Sequence, residues 1–263
     1  MSRVRIASPV AAGAEKGESV NEFAELLSRQ EPPMQGPYRR PCDSATLVLL
    51  DGPPASPRVL LGRRNERHVF MPGKFVFPGG RVDAADGRMG AVGALDRESE
   101  RRLSARMTRP SHARARVFAL AAIRETAEET GYLLAAIGKG KVAAPSPAWA
   151  PFAAADLFPN LGALTFVARA ITPPGRPRRF DTRFFVARRR DVAAELPGIV
   201  GGDAEFVELK WLTFDEARAE NLPTITKSVL GEIAVRIKAE FSPRLPVPFY
   251  FPRRGRMMRE EIA

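Results

Sequence analysis

Apolar residues fall into short runs separated by turn formers, and two of these runs lie close together near residue 45. Ala45-Thr46-Leu47-Val48-Leu49-Leu50 stops at Asp51-Gly52-Pro53-Pro54, and Arg58-Val59-Leu60-Leu61-Gly62-Arg63 follows, which predicts strand, turn and strand paired as a hairpin. Phe75 to Val82 is a further apolar stretch, broken by Gly79 and Gly80, where the backbone can take positive φ or approach a ligand closely. Residues 164–169, 183–187 and 206–212 read as three more strands. Helical spacing appears elsewhere. Phe23, Leu26 and Leu27 predict a short helix from Val20 to Arg29, and Leu95, Ser99 and Leu103 a surface helix within a polar segment, 87–112, that reads as an insertion. Ala113 to Ala136 is strongly helix-forming, with Gly131 as a break or cap near its end, and Asp215–Ala219 and Lys227–Phe241 complete the helices. These pieces pack most naturally as an α+β sandwich, helices covering a mixed sheet.

The long helix carries Arg124-Glu125-Thr126-Ala127-Glu128-Glu129-Thr130-Gly131. Glu125, Glu128 and Glu129 stand at i, i+3 and i+4, so they share one helix face with Cβ atoms about 6 Å apart. Three like charges at that spacing repel and cost helix stability unless a counter-charge lies among them. Hard carboxylate oxygens are what Mg²⁺ prefers, with substrate phosphate completing its shell. On the residues alone, a solvated acidic helix face accounts for the pattern more simply.

Composition narrows the partners. Against 30 Asp and Glu stand 41 Lys and Arg, a net charge of +11, and such a field attracts phosphorylated ligands, nucleic acid or anionic membranes alike. Neither a helix-turn-helix nor an aromatic-rich binding motif accompanies the charge, so neither nucleic acid nor a membrane is the expected partner. Cys42 is the single cysteine, which excludes an intramolecular disulfide, a thiolate zinc cluster and a paired redox motif. No run reaches the length of a membrane span and no secretory signal is evident, so a soluble protein in the cytoplasm is expected. His68 and His112 have no second histidine at metal spacing, and surface positions are expected for both. Trp211, Phe214, Phe184 and Phe185 read as core aromatics, with adenine stacking the alternative.

Phe77-Pro78-Gly79-Gly80 upstream of the helix, with Arg124 and Gly131 bracketing the acids, resembles the signature of the Nudix hydrolase superfamily, G-x5-E-x7-R-E-U-x-E-E-x-G-U with U apolar. The chain departs from it in three ways. Asp86 stands in place of the first Glu, 37 residues (87–123) fill the gap where seven are usual, and Thr126 and Tyr132 occupy the U positions. Further upstream, Leu60-Leu61, Arg64, Gly73 and Phe77-Pro78-Gly79-Gly80 keep the spacing of the coenzyme A diphosphatase branch, L-L-T-x-R-[SA]-x3-R-x3-G-x3-F-P-G-G, although Gly62, Asn65 and Val69 differ from it. The split box, with Arg179-Phe180-Asp181-Thr182-Arg183-Phe184-Phe185, is similar to the animal peroxisomal subgroup and its bacterial relatives. The animal members end in a peroxisomal tripeptide that Glu261-Ile262-Ala263 does not match, so the cytoplasm is again expected.

The resemblance implies a Nudix-type α/β/α sandwich over 41–245, with 87–112 inserted in the box, a tail or added helix over 1–40 and a tail over 246–263. It implies metal-dependent hydrolysis of a nucleoside diphosphate linked to another moiety, coenzyme A or an acyl-coenzyme A first, yielding 4′-phosphopantetheine and 3′,5′-ADP. ADP-ribose or dinucleotide hydrolysis is one alternative, and a non-catalytic nucleotide-binding regulator another. Glu125, Glu128, Glu129 and Asp86 are the implied ligands of Mg²⁺ or Mn²⁺. Arg124 is implied to hold a box carboxylate, Gly79 and Gly80 to approach the phosphate, and Arg63, Arg64, Arg179 and Arg183 to bind the remaining phosphates. Glu208 is a candidate base, its alternative an exposed strand charge. A homodimer stays open as an assembly, and the insertion is a segment that could cap the site or meet a second subunit.

Overall fold

The computed structural model describes Glu25, Leu27 and residues 39–263, apart from 69–70 and 108–109. The expected helix at Val20–Arg29 falls largely outside the described residues, as does Val69. Strands β1 (Cys42–Asp51), β2 (Arg58–Arg64), β3 (Phe75–Val76) and β4 (Gly79–Arg81) come first. Helices α1 (Arg97–Ser104) and α2 (His112–Thr130) follow, then β5 (Tyr132–Ala136), α3 (Ala150–Ala154), β6 (Phe158–Pro159), β7 (Thr165–Ile171), β8 (Phe180–Arg188), β9 (Val192–Glu195) and β10 (Phe206–Thr213). Helices α4 (Phe214–Ala219) and α5 (Thr224–Lys238) and strands β11 (Val247–Arg253) and β12 (Arg256–Ile262) complete the order.

The main sheet runs β10-β2-β1-β8-β7-β11-β12, with β3 beside β2 and β4 beside β1. It is mixed: β1 lies parallel to β8 and β7 parallel to β11, while the other pairs are antiparallel. Because strand side chains alternate, β1 feeds two cores. Ala45, Leu47 and Leu49 pack with Phe118, Leu120 and Ala122 of α2, whereas Val48 and Leu50 pack on the opposite face with Val229, Leu230 and Ile233 of α5. The sheet therefore lies between helices, as expected of the α/β/α sandwich, and β1 and β2 pair as the expected hairpin.

Several boundaries differ from the sequence reading. Helix α2 ends at Thr130, not Ala136, because Gly131 takes φ +80°, and a Cβ there would lie 2.4 Å from the Leu196 carbonyl oxygen. Beyond the glycine, Tyr132–Ala136 is strand β5, between β6 and β9 in a small second sheet. Residues 246–263, expected as a tail, form β11 and β12 and extend the main sheet, with Tyr250 fully buried. The predicted surface helix of the insertion exists as α1, but it is docked. Ser99 and Leu103 are buried, the Ser99 hydroxyl accepts from Phe166 N–H, and Arg102 donates to the Pro243 carbonyl. No helix among the described residues is long and apolar enough to cross a membrane.

Candidate active site

Pairing of β4 with β1 sets Gly79 and Gly80 opposite Thr46 and Ala45, and α2 packs across both strands. The glycines are required by space. A Cβ on Gly79, whose φ is +159°, would come within 2.7 Å of the Thr46 Cα, and one on Gly80 would meet the Glu125 carboxylate at 2.5 Å. Gly79 N–H donates to Glu129 Oε2 at 2.8 Å. The glycine strand thus closes directly on the helix that carries the acids.

Arg124 organises the other side of the helix. Its Nε and Nη2 donate to the two oxygens of Asp86 at 2.7 and 3.2 Å, its Nη1 to Glu125 at 2.9 Å and Glu128 at 2.5 Å, and its Nη2 also to the Arg81 carbonyl. Such a fork-shaped cation meets several acceptors in one plane, as lysine does not. Burial works against the guanidinium's charge, yet Asp86, Glu125 and Glu128 together push its pKa up. Asp86, expected among the metal ligands, is instead fully buried, with one oxygen on Arg124 and the other shared between Arg124 and Asp83 N–H. It holds the arginine from the box loop, and the shorter side chain reaches because the chain turns through a 3₁₀ segment at Asp86–Arg88.

The three glutamates differ in setting. Glu128 is partly exposed, whereas Glu125 and Glu129 are withdrawn from water. Burial pushes the Glu125 carboxyl up to about 7, against the lowering by Arg124, with Glu128 and Glu205 adding to the rise. Burial likewise raises Glu129 well above the carboxylate range, reinforced by Glu205 and Glu125 and only partly offset by Gly79 N–H. Among the described residues no group of three acids, histidines or cysteines is gathered around a common point, since Arg124 and Gly79 draw the carboxylates to protein donors. The donor set still fits a hard divalent cation. Two desolvated carboxylates and a third beside them supply oxygens, and they have less positive charge near them than burial of so many anions requires.

This sets a pH dependence. With Glu125 raised from 4.5 to about 7 on folding, the folded chain holds a proton there that the unfolded chain releases. That contribution to stability is complete below pH 4.5 and is lost as pH rises through about 7. In EDTA, the Tm is expected to fall between pH 5 and pH 8, and added Mg²⁺ to raise it markedly at pH 8 and little at pH 5. Equal Mg²⁺ shifts at both pH values, followed by differential scanning fluorimetry, would contradict the assignment.

Glu205 is the acid that sequence reading missed. It precedes β10, pairs with Arg64 at 2.7 Å, and its charge bears on both buried glutamates. No motif marks it, and only the antiparallel pairing of β10 with β2 carries it to the site. Glu208, the candidate base, is paired with Arg63 at 3.0 Å, each a little over one-third exposed. Arg64 is thus at the site through Glu205, and Arg63 is tied to the strand charge. Arg179 and Arg183 are not brought to the glutamates. They line a separate cleft, where Arg183 is held by Asp43 and Asp181, and Arg179 donates to the Arg39 and Thr172 carbonyls. Phe184, Phe185 and Phe214 are core residues, and Trp211 stacks on Tyr132. His112, largely exposed, meets Glu100, while His68 lies 3.5 Å from Arg64.

The mixed sheet covered by helices on both faces matches the fold of solved Nudix hydrolases. A NUDIX hydrolase from Alicyclobacillus acidocaldarius matches with a TM-score of 0.56 and 27% identity over 78% of this chain and 96% of the other. The NUDIX domain of Shewanella oneidensis NrtR, solved with ADP ribose, matches at 0.43 and 13% identity (76% and 90% covered). The Nudix hydrolase RenU of M. smegmatis matches at 0.40 and 15% identity (81% and 97% covered). No family model matches the chain. The first of these likenesses, together with the R-E-x-x-E-E-x-G helix, supports membership of the Nudix superfamily and an enzyme of its pyrophosphohydrolase class.

Proposed function

We propose that the chain hydrolyses the diphosphate of coenzyme A or an acyl-coenzyme A, releasing 3′,5′-ADP and 4′-phosphopantetheine or its acyl derivative. One observation carries the reading: the segment from Leu60 to Gly80, which keeps the coenzyme A diphosphatase spacing, closes on the acidic helix at its glycine end and bears on the buried glutamates through Arg64. Its Arg64 pairs with Glu205 and lowers the pKa of Glu129, while Gly79 and Gly80 close on Glu129 and Glu125. Leu60 and Leu61 are buried on opposite faces of the sheet and fix the strand between them.

In the reaction water attacks one phosphorus, the bridging P–O bond breaks, and the water's proton passes to a base. Glu125, Glu128 and Glu129 would hold Mg²⁺ or Mn²⁺, which when bound neutralises diphosphate charge and lowers the pKa of bound water. Arg124 keeps two of those carboxylates in place from below. Side-chain-free Gly79 and Gly80 let their strand close on Glu129 and Glu125 and so fix both carboxylates where the diphosphate must be met. Glu205, whose charge bears on both buried glutamates, is the acid we assign as proton acceptor; its ion pair with Arg64 holds it there, whereas the charge of Glu208 is not among those acting on either glutamate. The cytoplasm suits this reading, because a chain with the single Cys42 requires no oxidising compartment.

The test is incubation with Mg²⁺ and, separately, coenzyme A, ADP-ribose and NADH, with products identified by mass. Coenzyme A is expected to be turned over with the highest kcat/KM and to give 3′,5′-ADP. Preference for ADP-ribose would overturn the substrate while leaving the hydrolase, and full turnover in EDTA would overturn the metal.

A further inference from the structure

Glu205 stands at the end of the connection between β9 and β10, where regular pairing gives out. β10 pairs with β2 in step from Thr213 to Glu208 and then slips at Val207, so that Phe206 pairs with Arg64 although Glu208 pairs with Arg63. A bulge of this kind leaves one residue out of the ladder and re-aims the strand beyond it. The connection itself packs against little. Gly202 and Asp203 are exposed, and a Cβ placed on Gly201 or Gly202 would have no atom within 4 Å among the described residues. Contacts other than the ladder therefore set where Glu205 lies.

Asn65, the buried residue that directly follows β2, supplies them. Its Nδ2 donates to the Gly202 carbonyl at 2.7 Å and to the Ala204 carbonyl at 3.3 Å, and its Oδ1 accepts from Arg67 N–H at 3.1 Å. Two acceptors meet the NH2 group and a donor meets the oxygen, which fixes the orientation of the amide. The main chain joins in: Asn65 N–H donates to the Glu205 carbonyl at 3.0 Å, and the Asn65 carbonyl accepts from His68 N–H. Gly202, Ala204 and Glu205 are thus all held by one residue. The neighbouring tie is weaker, because Arg67 and Asp203 meet at 3.2 Å but are both largely exposed.

Arg64 holds the Glu205 carboxylate at 2.7 Å, and Asn65 holds the backbone that carries it. Adjacent residues at one strand end therefore grip both the side chain and the main chain of the same acid. Glu205 cannot swing away without leaving the buried Asn65 amide unpaired, which is costly. The coenzyme A diphosphatase spacing has Ser or Ala where Asn65 stands, and neither has an amide to donate, so this grip belongs to the present chain. We propose that Asn65 is a positioning residue: it fixes residues 202–205 so that Glu205 is presented to the buried glutamates, a role that rests on Glu205 being the proton acceptor.

The test is a kinetic double-mutant cycle on the full chain with Mg²⁺ and coenzyme A, or ADP-ribose should that be the substrate turned over. Glu205→Gln is expected to lower kcat at least about 10²-fold, the scale of losing a general base. Asn65→Asp still accepts from Arg67 N–H but loses both donations to the loop. It is expected to lower kcat at least about tenfold, because a small displacement of a reacting group costs that much. KM should move less than about threefold, since Asn65 acts on the reaction and not on ground-state binding. Asn65→Ser removes both donations without adding charge and gives the same reading should the aspartate variant fail to fold. Combined with Glu205→Gln, either substitution should cost nothing further in kcat, because the acid it positions is gone, whereas a merely structural role would multiply the losses. Wild-type kcat in Glu205→Gln would overturn Glu205 as acceptor and the positioning role with it. If Glu205→Gln does lose activity, wild-type kcat in both Asn65 variants, an effect confined to KM, or multiplied losses in the double variant would overturn the positioning role alone.

Discussion

Glu125→Gln is expected to lower kcat by at least about 10²-fold while raising the melting temperature of the metal-free protein. The two effects share a cause. Glu125 sits beneath Gly80, largely withdrawn from water, and its carboxyl is pushed up to about 7 because burial disfavours the charge. Glutamine keeps the shape, and its carbonyl can still accept from Arg124 Nη1, but it carries no charge to desolvate. At neutral pH and above, removing that burden should stabilise the apo fold by up to about 3 kcal/mol, the equivalent of the carboxyl's displacement. The same substitution removes a hard anionic oxygen from the site where the diphosphate's charge must be balanced, so turnover falls. Glu208→Gln, which loses partly exposed ion pairs with Arg63 and Lys210, should change kcat less than about threefold. The decisive measurements are steady-state kinetics with saturating Mg²⁺ and thermal melts in EDTA at pH 8. A Glu125→Gln enzyme that keeps wild-type kcat, or is less stable without metal, would remove Glu125 from the site.

How much of this site could be read from the chain depends on how local its causes are. The glutamates and Arg124 lie within one turn and a half of helix, so their spacing alone set them on one face, and the glycine strand was visible as two adjacent glycines after Phe77-Pro78. The strands of the central sheet were equally legible, because β1 and β2 are buried on both faces and read as apolar runs. What escaped was set by tertiary contact. Tyr132-Leu133-Leu134-Ala135-Ala136 has helix-favouring residues, yet the left-handed backbone at Gly131 ends the helix and pairing with β6 and β9 claims the segment. Val247 to Arg253 contains Pro248 and Pro252, which argue against a central strand. β11 tolerates them because its bridges to β7 involve only Phe249 and Tyr250, between the prolines. Asp86 looked like a ligand because the box position is acidic, but charge alone does not say whether a carboxylate faces substrate or a buried arginine. Glu205 owes its place to the pairing of β10 with β2, and no local pattern announces that.

Arg124→Leu is expected to cost about 3 to 5 kcal/mol of stability, the scale of breaking a buried ion pair and leaving its partner behind. Asp86 is fully buried, and without the guanidinium it keeps a single N–H, that of Asp83. Glu125 and Glu128 would lose their shared cation at the same time, and the Arg81 carbonyl a donor. For a chain of this size the loss corresponds to a Tm lower by roughly 10 °C. Lysine should recover only part of it, since one ammonium cannot meet Asp86, both glutamates and the carbonyl in their present positions. The origin of the cost is open to a direct check. If it lies in the stranded Asp86, then Arg124→Leu/Asp86→Leu should be more stable than Arg124→Leu alone, because the uncompensated charge is gone and two apolar side chains of similar reach fill the space. Denaturant unfolding of the two single variants and the double variant gives that comparison. Additive losses would mean that the two residues act independently, and the arginine could not then be the part that binds the box loop to the acidic helix.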